Sequence, residues 1–179
     1  MRRATYVGHS VSAMVGVLAA IEDPERFERM VLLNASPRYL DDVGYRGGFS
    51  RSELNGLFDA MASGYQSWVA GFAPTAIGGD FPRAIEDFSA GLLAMRPDVA
   101  IRIARTIFES DVRHLLPLLG VPTVLIHARK DIAVPEDVAH YMKAHIPLST
   151  LYWIEAEGHL PHLSAPDEIA AALRVHLGH

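Results

Sequence analysis

Apolar positions along the chain change rhythm twice, and the changes divide it into three blocks. Residues 5–8 read as a short strand. The apolar run from Val11 to Ile21 reads as a helix stopped by Asp23-Pro24, and Met30-Val31-Leu32-Leu33 supplies a second strand. A strand, helix and strand at this spacing predict parallel pairing through a right-handed crossover, and the unbroken apolar character of the strands predicts burial on both faces. From about Ser36 to Arg113 no strand pattern stands out. Leu54, Leu57, Phe58 and Met61 recur at helical spacing, as do Ile85, Phe88 and Leu92, then Val99, Ile103 and Ile107. Breaks at Ala73-Pro74, Gly78-Gly79, Phe81-Pro82 and Arg96-Pro97 predict three or four helices of about three turns each, a helical cap inserted into a sheet. Alternation then resumes. Residues 122–127 read as a strand, Glu136 to His145 as a helix, Thr150 to Ile154 as a strand, and Asp167 to Leu177 as a closing helix opened by Pro166. The expected organisation is a single α/β domain, with a parallel sheet core of residues 1–35 and 114–179 interrupted by a helical insertion over 36–113.

Composition narrows the function classes. A chain of 179 residues that is 50% hydrophobic supports one substantial core. Its net charge of -5 and pI near 6.0 leave no basic footprint for nucleic acid. With no cysteine, disulfides, thiolate metal sites and a cysteine nucleophile are excluded. The first residues are too polar for a signal-peptide core and no apolar run reaches spanning length, so a soluble cytoplasmic protein with no membrane partner is expected.

Open parallel sheets place their chemistry beyond the carboxyl ends of the strands, where three polar residues fall in the order Ser10, Asp131, His159. Tyr6-Val7-Gly8-His9-Ser10-Val11-Ser12 looks like a nucleophile elbow, with a strand delivering Ser10 into a tight turn and a helix leaving it. A serine hydroxyl at neutral pH needs an imidazole to accept its proton, and the imidazole needs a carboxylate to fix its tautomer. Each residue also has a plainer reading. Gly8-x-Ser10-x-Ser12 is a common turn composition, with serine at the usual last glycine. Asp131 is equally a solvated charge beside Lys130 or the cap of the following helix. His159 and His162 make a metal pair without a third ligand at a recognised spacing, so neither metal nor cofactor is expected. It is the order of the three on successive strand ends that favours an α/β-hydrolase.

Residues 7–14 (Val-Gly-His-Ser-Val-Ser-Ala-Met), 35–40 (Ala-Ser-Pro-Arg-Tyr-Leu), Gly47-Gly48-Phe49, 67–74 (Ser-Trp-Val-Ala-Gly-Phe-Ala-Pro) and 157–164 (Glu-Gly-His-Leu-Pro-His-Leu-Ser) occur together in one branch of that fold family. Through them the chain resembles the strigolactone and karrikin receptor family, which includes a bacterial regulator of the general stress response. The likeness runs from Tyr6 to about Leu177. It implies Ser10 as nucleophile, Asp131 as orienting acid, His159 as base, the Val11 N–H as an oxyanion donor, and residues 36–113 as a four-helix lid over an apolar pocket. His9, Phe49, Trp68, Phe72 and Ser110 are the ligand contacts it implies, although Trp68 and Phe72 at i, i+4 are equally explained as helix core. A small, uncharged ester or lactone suits such a pocket.

Relatives of this kind carry four more strands and two helices before the elbow, one loop of which adds a second oxyanion donor. By the resemblance the chain is an N-terminally truncated α/β-hydrolase, with the strand bearing Ser10 as a sheet edge. Three classes of function are therefore expected: a serine hydrolase acting through an acyl-enzyme, a ligand-sensing protein signalling to a partner through the lid, and a fragment without independent activity.

Overall fold

The computed structural model describes residues 3–177. Four strands, β1 (Ala4–His9), β2 (Phe27–Leu33), β3 (Thr123–Lys130) and β4 (Ser149–Glu157), pair in parallel in the order β1-β2-β3-β4. Helices α1 (Val11–Glu22) and α6 (Glu136–His145) cover one face, packing Ala13, Met14, Val17, Val138 and Met142 against Met30, Leu32 and Leu125. The last helix, α8 (Pro166–Leu177), covers the other, setting Ile169 and Ala172 against Val31, Leu33, Ile126 and Ile154. Successive residues of β2 and β3 thus enter opposite cores, which is why both strands read as unbroken apolar runs. Among the described residues no strand pairs with the outer edge of β1, and Val15 (58% exposed), Leu18 and Val7 (both 43%) face outward there.

Between β2 and β3 the chain builds a layer of four helices, α2 (Arg51–Ser63), α3 (Tyr65–Ile77), α4 (Pro82–Leu93) and α5 (Pro97–Phe108). Ser50 opens α2 with a capping box, its hydroxyl accepting from the Glu53 N–H while Glu53 reaches back to the Ser50 N–H. Two features of this segment depart from the sequence pattern. Pro74 sits inside α3 and does not end it, because a helix interrupted at one N–H continues when its remaining carbonyls are bonded, and the Gly78 N–H closes the last turn on the Pro74 carbonyl. Residues 34–50 are not helical either. They form an irregular loop held by short bridges between Leu40 and Phe49 and between Asp42 and Tyr45, with Gly44 and Gly48 at positive φ.

The chain enters and leaves the helical layer at a single clamp. The Val112 N–H donates to the Pro37 carbonyl at 2.9 Å, Arg38 meets Asp111 at 2.8 Å, and Arg113 joins Asp111 (2.7 Å) to Asp42 (2.8 Å). Hydrogen bonding from Arg113 holds the Asp111 carboxyl down to about 2, so the clamp stays charged at any ordinary pH.

The far end of α3 rests on the loop after β4. That loop comprises Gly158 and His159, followed by the short helix α7 (Pro161–Ser164), which leads directly into α8. Gly158 has φ +82 and Gly78 has φ +70, and a Cβ on Gly158 would lie 2.0 Å from the Ile77 carbonyl oxygen. Only glycine allows the approach, which brings the His159 N–H within 2.7 Å of the Ala76 carbonyl.

Candidate functional site

Three loops converge above the carboxyl ends of β1, β3 and β4. Ser10 lies between β1 and α1 at φ 54, ψ -124, a conformation that costs a non-glycine residue strain and lifts its hydroxyl out of the turn. The turn is fastened on both sides. The Ser10 N–H donates to the Leu33 carbonyl at 2.9 Å, and the Ser12 hydroxyl both donates to the His9 carbonyl (2.8 Å) and accepts the His9 N–H (2.9 Å). Serine at this position is therefore a fastening group. The close helix-to-strand approach falls to Gly8, whose Cβ would meet Ala13 Cα at 2.8 Å.

Asp131 follows β3, and its side chain is wholly shielded from solvent. Its Oδ1 accepts the N–H groups of Ala133 (2.7 Å) and Val134 (3.1 Å), and its Oδ2 lies 2.8 Å from His159 Nδ1. His159 Nε2 in turn lies 2.8 Å from Ser10 Oγ. A carboxylate accepts only, so the His159 proton sits on Nδ1 and Nε2 is free to take the Ser10 proton. Burial, with the His159 ring beside it, pushes His9 down to about 4 and leaves it uncharged, and its Nε2 is 2.6 Å from the His159 carbonyl oxygen.

A cavity of about 370 Å³ opens above Ser10 and His159. Trp68 and Phe72 of α3, stacked at 4.7 Å, form one wall; Phe88 and Leu92 of α4 and Ile107 and Phe108 of α5 form others. None of its lining residues is an aspartate, glutamate, lysine or arginine. Val11 also lines it, and as the first residue of α1 its N–H has no intrahelical acceptor. Phe49 and Ser110, expected at the pocket, lie outside it. Phe49 packs edge-on against Phe108 from behind, and the Ser110 hydroxyl turns back to the Ile107 carbonyl at 2.7 Å.

Pattern alone gives Tyr39 no role, because it stands in the irregular loop where periodicity is silent. In the structure it is 2% exposed, with its hydroxyl 3.1 Å from Ser10 Oγ. Desolvation pushes its phenol up to about 12, so it keeps its proton, and because the Ser10 proton is directed at His159 Nε2 the phenol donates to the serine oxygen. Among the described residues no three histidine, aspartate or glutamate side chains converge as a metal site, and no helix is long and apolar enough to cross a membrane.

The buried histidines give the fold a pH dependence. His9 is held down to about 4 and His127, wholly buried on β3, to about 3, both by desolvation. The unfolded chain takes up these protons near pH 6.5, so stability is expected to fall by about 1.4 kcal/mol per pH unit for each ring below that point, until the folded rings themselves protonate. Urea midpoints compared at about pH 7.5 and about pH 5 measure this, and His127→Leu should remove that ring's share of the slope, leaving the part due to His9 and to His162, which burial also holds below its usual value. A midpoint that does not change across that range contradicts the assignment.

The model of a family described as the alpha/beta hydrolase family matches residues 1–172. A strigolactone esterase of Pisum sativum is 49% identical over 177 residues, 98% of this chain and 66% of the relative. A karrikin insensitive 2 receptor of Petunia hybrida is 47% identical, over 97% of this chain and 65% of the relative. Among solved structures, a hydrolase from Oleispira antarctica superposes with a TM-score of 0.93 at 30% identity, covering 99% of this chain and 65% of that one. The chain thus spans just under two thirds of the length of these proteins.

Proposed function

The chain belongs to the alpha/beta hydrolase family, and on that premise we propose that it is a serine hydrolase of small, uncharged, apolar esters or lactones. The observation that carries the proposal is the unbroken contact from Ser10 Oγ through His159 to Asp131, 2.8 Å at each step, on the floor of a cavity without charged side chains. Ser10 Oγ attacks the carbonyl carbon of the ester while its proton passes to His159 Nε2. The carbon–oxygen bond to the alcohol then breaks, and the leaving oxygen takes the proton from His159. Water repeats the sequence: His159 accepts its proton, the hydroxide attacks the acyl carbon, and Ser10 leaves reprotonated. Asp131 holds the imidazole and balances its charge when protonated. The Val11 N–H is the donor toward the oxyanion.

A chromogenic ester tests this directly. A burst of product and one acyl group on Ser10 by mass spectrometry are the expected results, and a folded chain that forms no adduct sinks the proposal. The Tyr39 hydroxyl supports Ser10 Oγ as it loses its proton, so Tyr39→Phe is expected to slow the burst by about 10-fold, the worth of one hydrogen bond, without changing the ester concentration that half-saturates the burst rate. Rapid-quench measurement of the two constants separates that outcome from a change in binding.

The names of the pea and petunia relatives extend the proposal to strigolactone-type and karrikin-type ligands. They also support a second reading, a cytoplasmic ligand sensor that passes its state to a protein partner through the helical lid. The hydrogen bond from the His159 N–H to Ala76 at the end of α3 is the feature in its favour. A ligand-dependent rise in melting temperature that persists in Ser10→Ala, together with a partner captured only with ligand, distinguishes it from simple hydrolysis.

A further inference from the structure

Two side chains outside the Ser10, His159 and Asp131 relay converge on one atom of it. His9 Nε2 lies 2.6 Å and Asn34 Nδ2 3.3 Å from the carbonyl oxygen of His159. A carbonyl only accepts, so His9 carries its proton on Nε2. The orientation of the Asn34 amide is fixed from its other end, because Oδ1 accepts the buried Ala128 N–H at 2.8 Å and therefore leaves the NH₂ group to face His159. Asn34 is fully buried and held at φ +42, a region asparagine tolerates better than most residues. Its own N–H is bonded to the Ile126 carbonyl, and its neighbour Leu33 accepts the Ser10 N–H. The end of β2 thus holds the serine turn by its backbone and the histidine loop by a side chain.

We propose that His9 and Asn34 are positioning residues, and that by gripping the carbonyl oxygen of His159 from two sides they set the imidazole at hydrogen-bonding distance from Ser10. Satisfying the Ala128 N–H requires only Oδ1 of Asn34, so the aim of its other end needs a separate purpose. The place of His9 on the cavity wall offers one competing role, contact with the ligand, and the two roles separate kinetically. Without the grip, the backbone at Gly158 and His159 keeps its bonds from the Gly158 N–H to Lys130 and from the His159 N–H to Ala76, and neither of these holds the His159 carbonyl.

The consequence for rate rests on the serine hydrolase reading. A fluorophosphonate is attacked by Ser10 Oγ at phosphorus with loss of fluoride, and its labelling rate reports the relay. His9→Leu is expected to lower the limiting rate about 10- to 100-fold, the scale of a small misplacement, with the half-saturating probe concentration unchanged. His9→Gln, which returns an N–H to nearly the same point, should recover most of the loss. Asn34→Asp keeps an acceptor for the Ala128 N–H while removing the donor to His159, and should also slow labelling. A change confined to the half-saturating concentration, or an unchanged rate in both His9→Leu and Asn34→Asp, overturns the proposal. A second readout needs no reaction: the NMR resonance of the His159 Nδ1–H should shift in His9→Leu and return in His9→Gln. If Ser10 proves unreactive while that resonance responds, the hydrolase reading falls and the positioning role stands; a resonance that does not move overturns the positioning role.

Discussion

Exchanging Ser10 for alanine is expected to remove the acyl adduct entirely and to lower turnover of an activated ester by about a million-fold, the scale on which serine hydrolases lose activity with their nucleophile. The reason is local. Of the hydroxyls bordering the cavity, Ser10 alone touches the imidazole, while the Ser12 hydroxyl is committed to the His9 backbone and Tyr39 is kept protonated by burial. Alanine occupies the same strained turn at almost the same volume, so the melting temperature should change little. Burst titration and intact-mass analysis measure the first effect and thermal denaturation the second. Residual burst in a Ser10→Ala chain of unchanged stability would assign the chemistry to another residue.

Asp131→Asn is the second large effect, a fall of about 10⁴-fold in acylation. Two backbone donors, the Ala133 and Val134 N–H groups, already occupy Oδ1 of Asp131. An asparagine in the same rotamer keeps its oxygen on those donors and turns its NH₂ toward His159 Nδ1. That nitrogen must then accept, the ring proton moves to Nε2, and the group facing Ser10 becomes a donor that cannot take the serine proton. The fold survives because the volume and the two backbone bonds are retained. A loss smaller than about 10-fold, measured by rapid quench, would show that the loop does not dictate the tautomer.

The parts of this fold legible in the sequence are those governed by period and order. Unbroken apolar runs marked β2 and β3 because each strand feeds two cores, and the elbow, Asp131 and His159 were visible because strand ends collect polar residues in a fixed order. What escaped lies where the chain has no period. Tyr39 and Asn34 belong to an irregular stretch after β2, and their roles depend on partners about 30 and 125 residues away in sequence, Ser10 and His159 respectively. Phe49 and Ser110 lie outside the cavity for a related reason: Phe49 packs edge-on against Phe108 and the Ser110 hydroxyl turns back to the Ile107 carbonyl, contacts that no period announces. Pro74 misled because a proline marks a missing donor, whereas the end of α3 is set by the glycines beyond it.

The contact between the His159 amide and the Ala76 carbonyl also turns the protein into its own gauge. That amide belongs to the residue proposed as the base, yet its acceptor belongs to the helix carrying Trp68 and Phe72. Were α3 to lift from the cavity, the amide would lose this acceptor, and its hydrogen–deuterium exchange would count such openings. A ligand that fills the cavity and holds α3 down slows the count, and one that enters by prying the helix away quickens it. A single backbone proton therefore reads, without any reaction, how often the wall and the base part company.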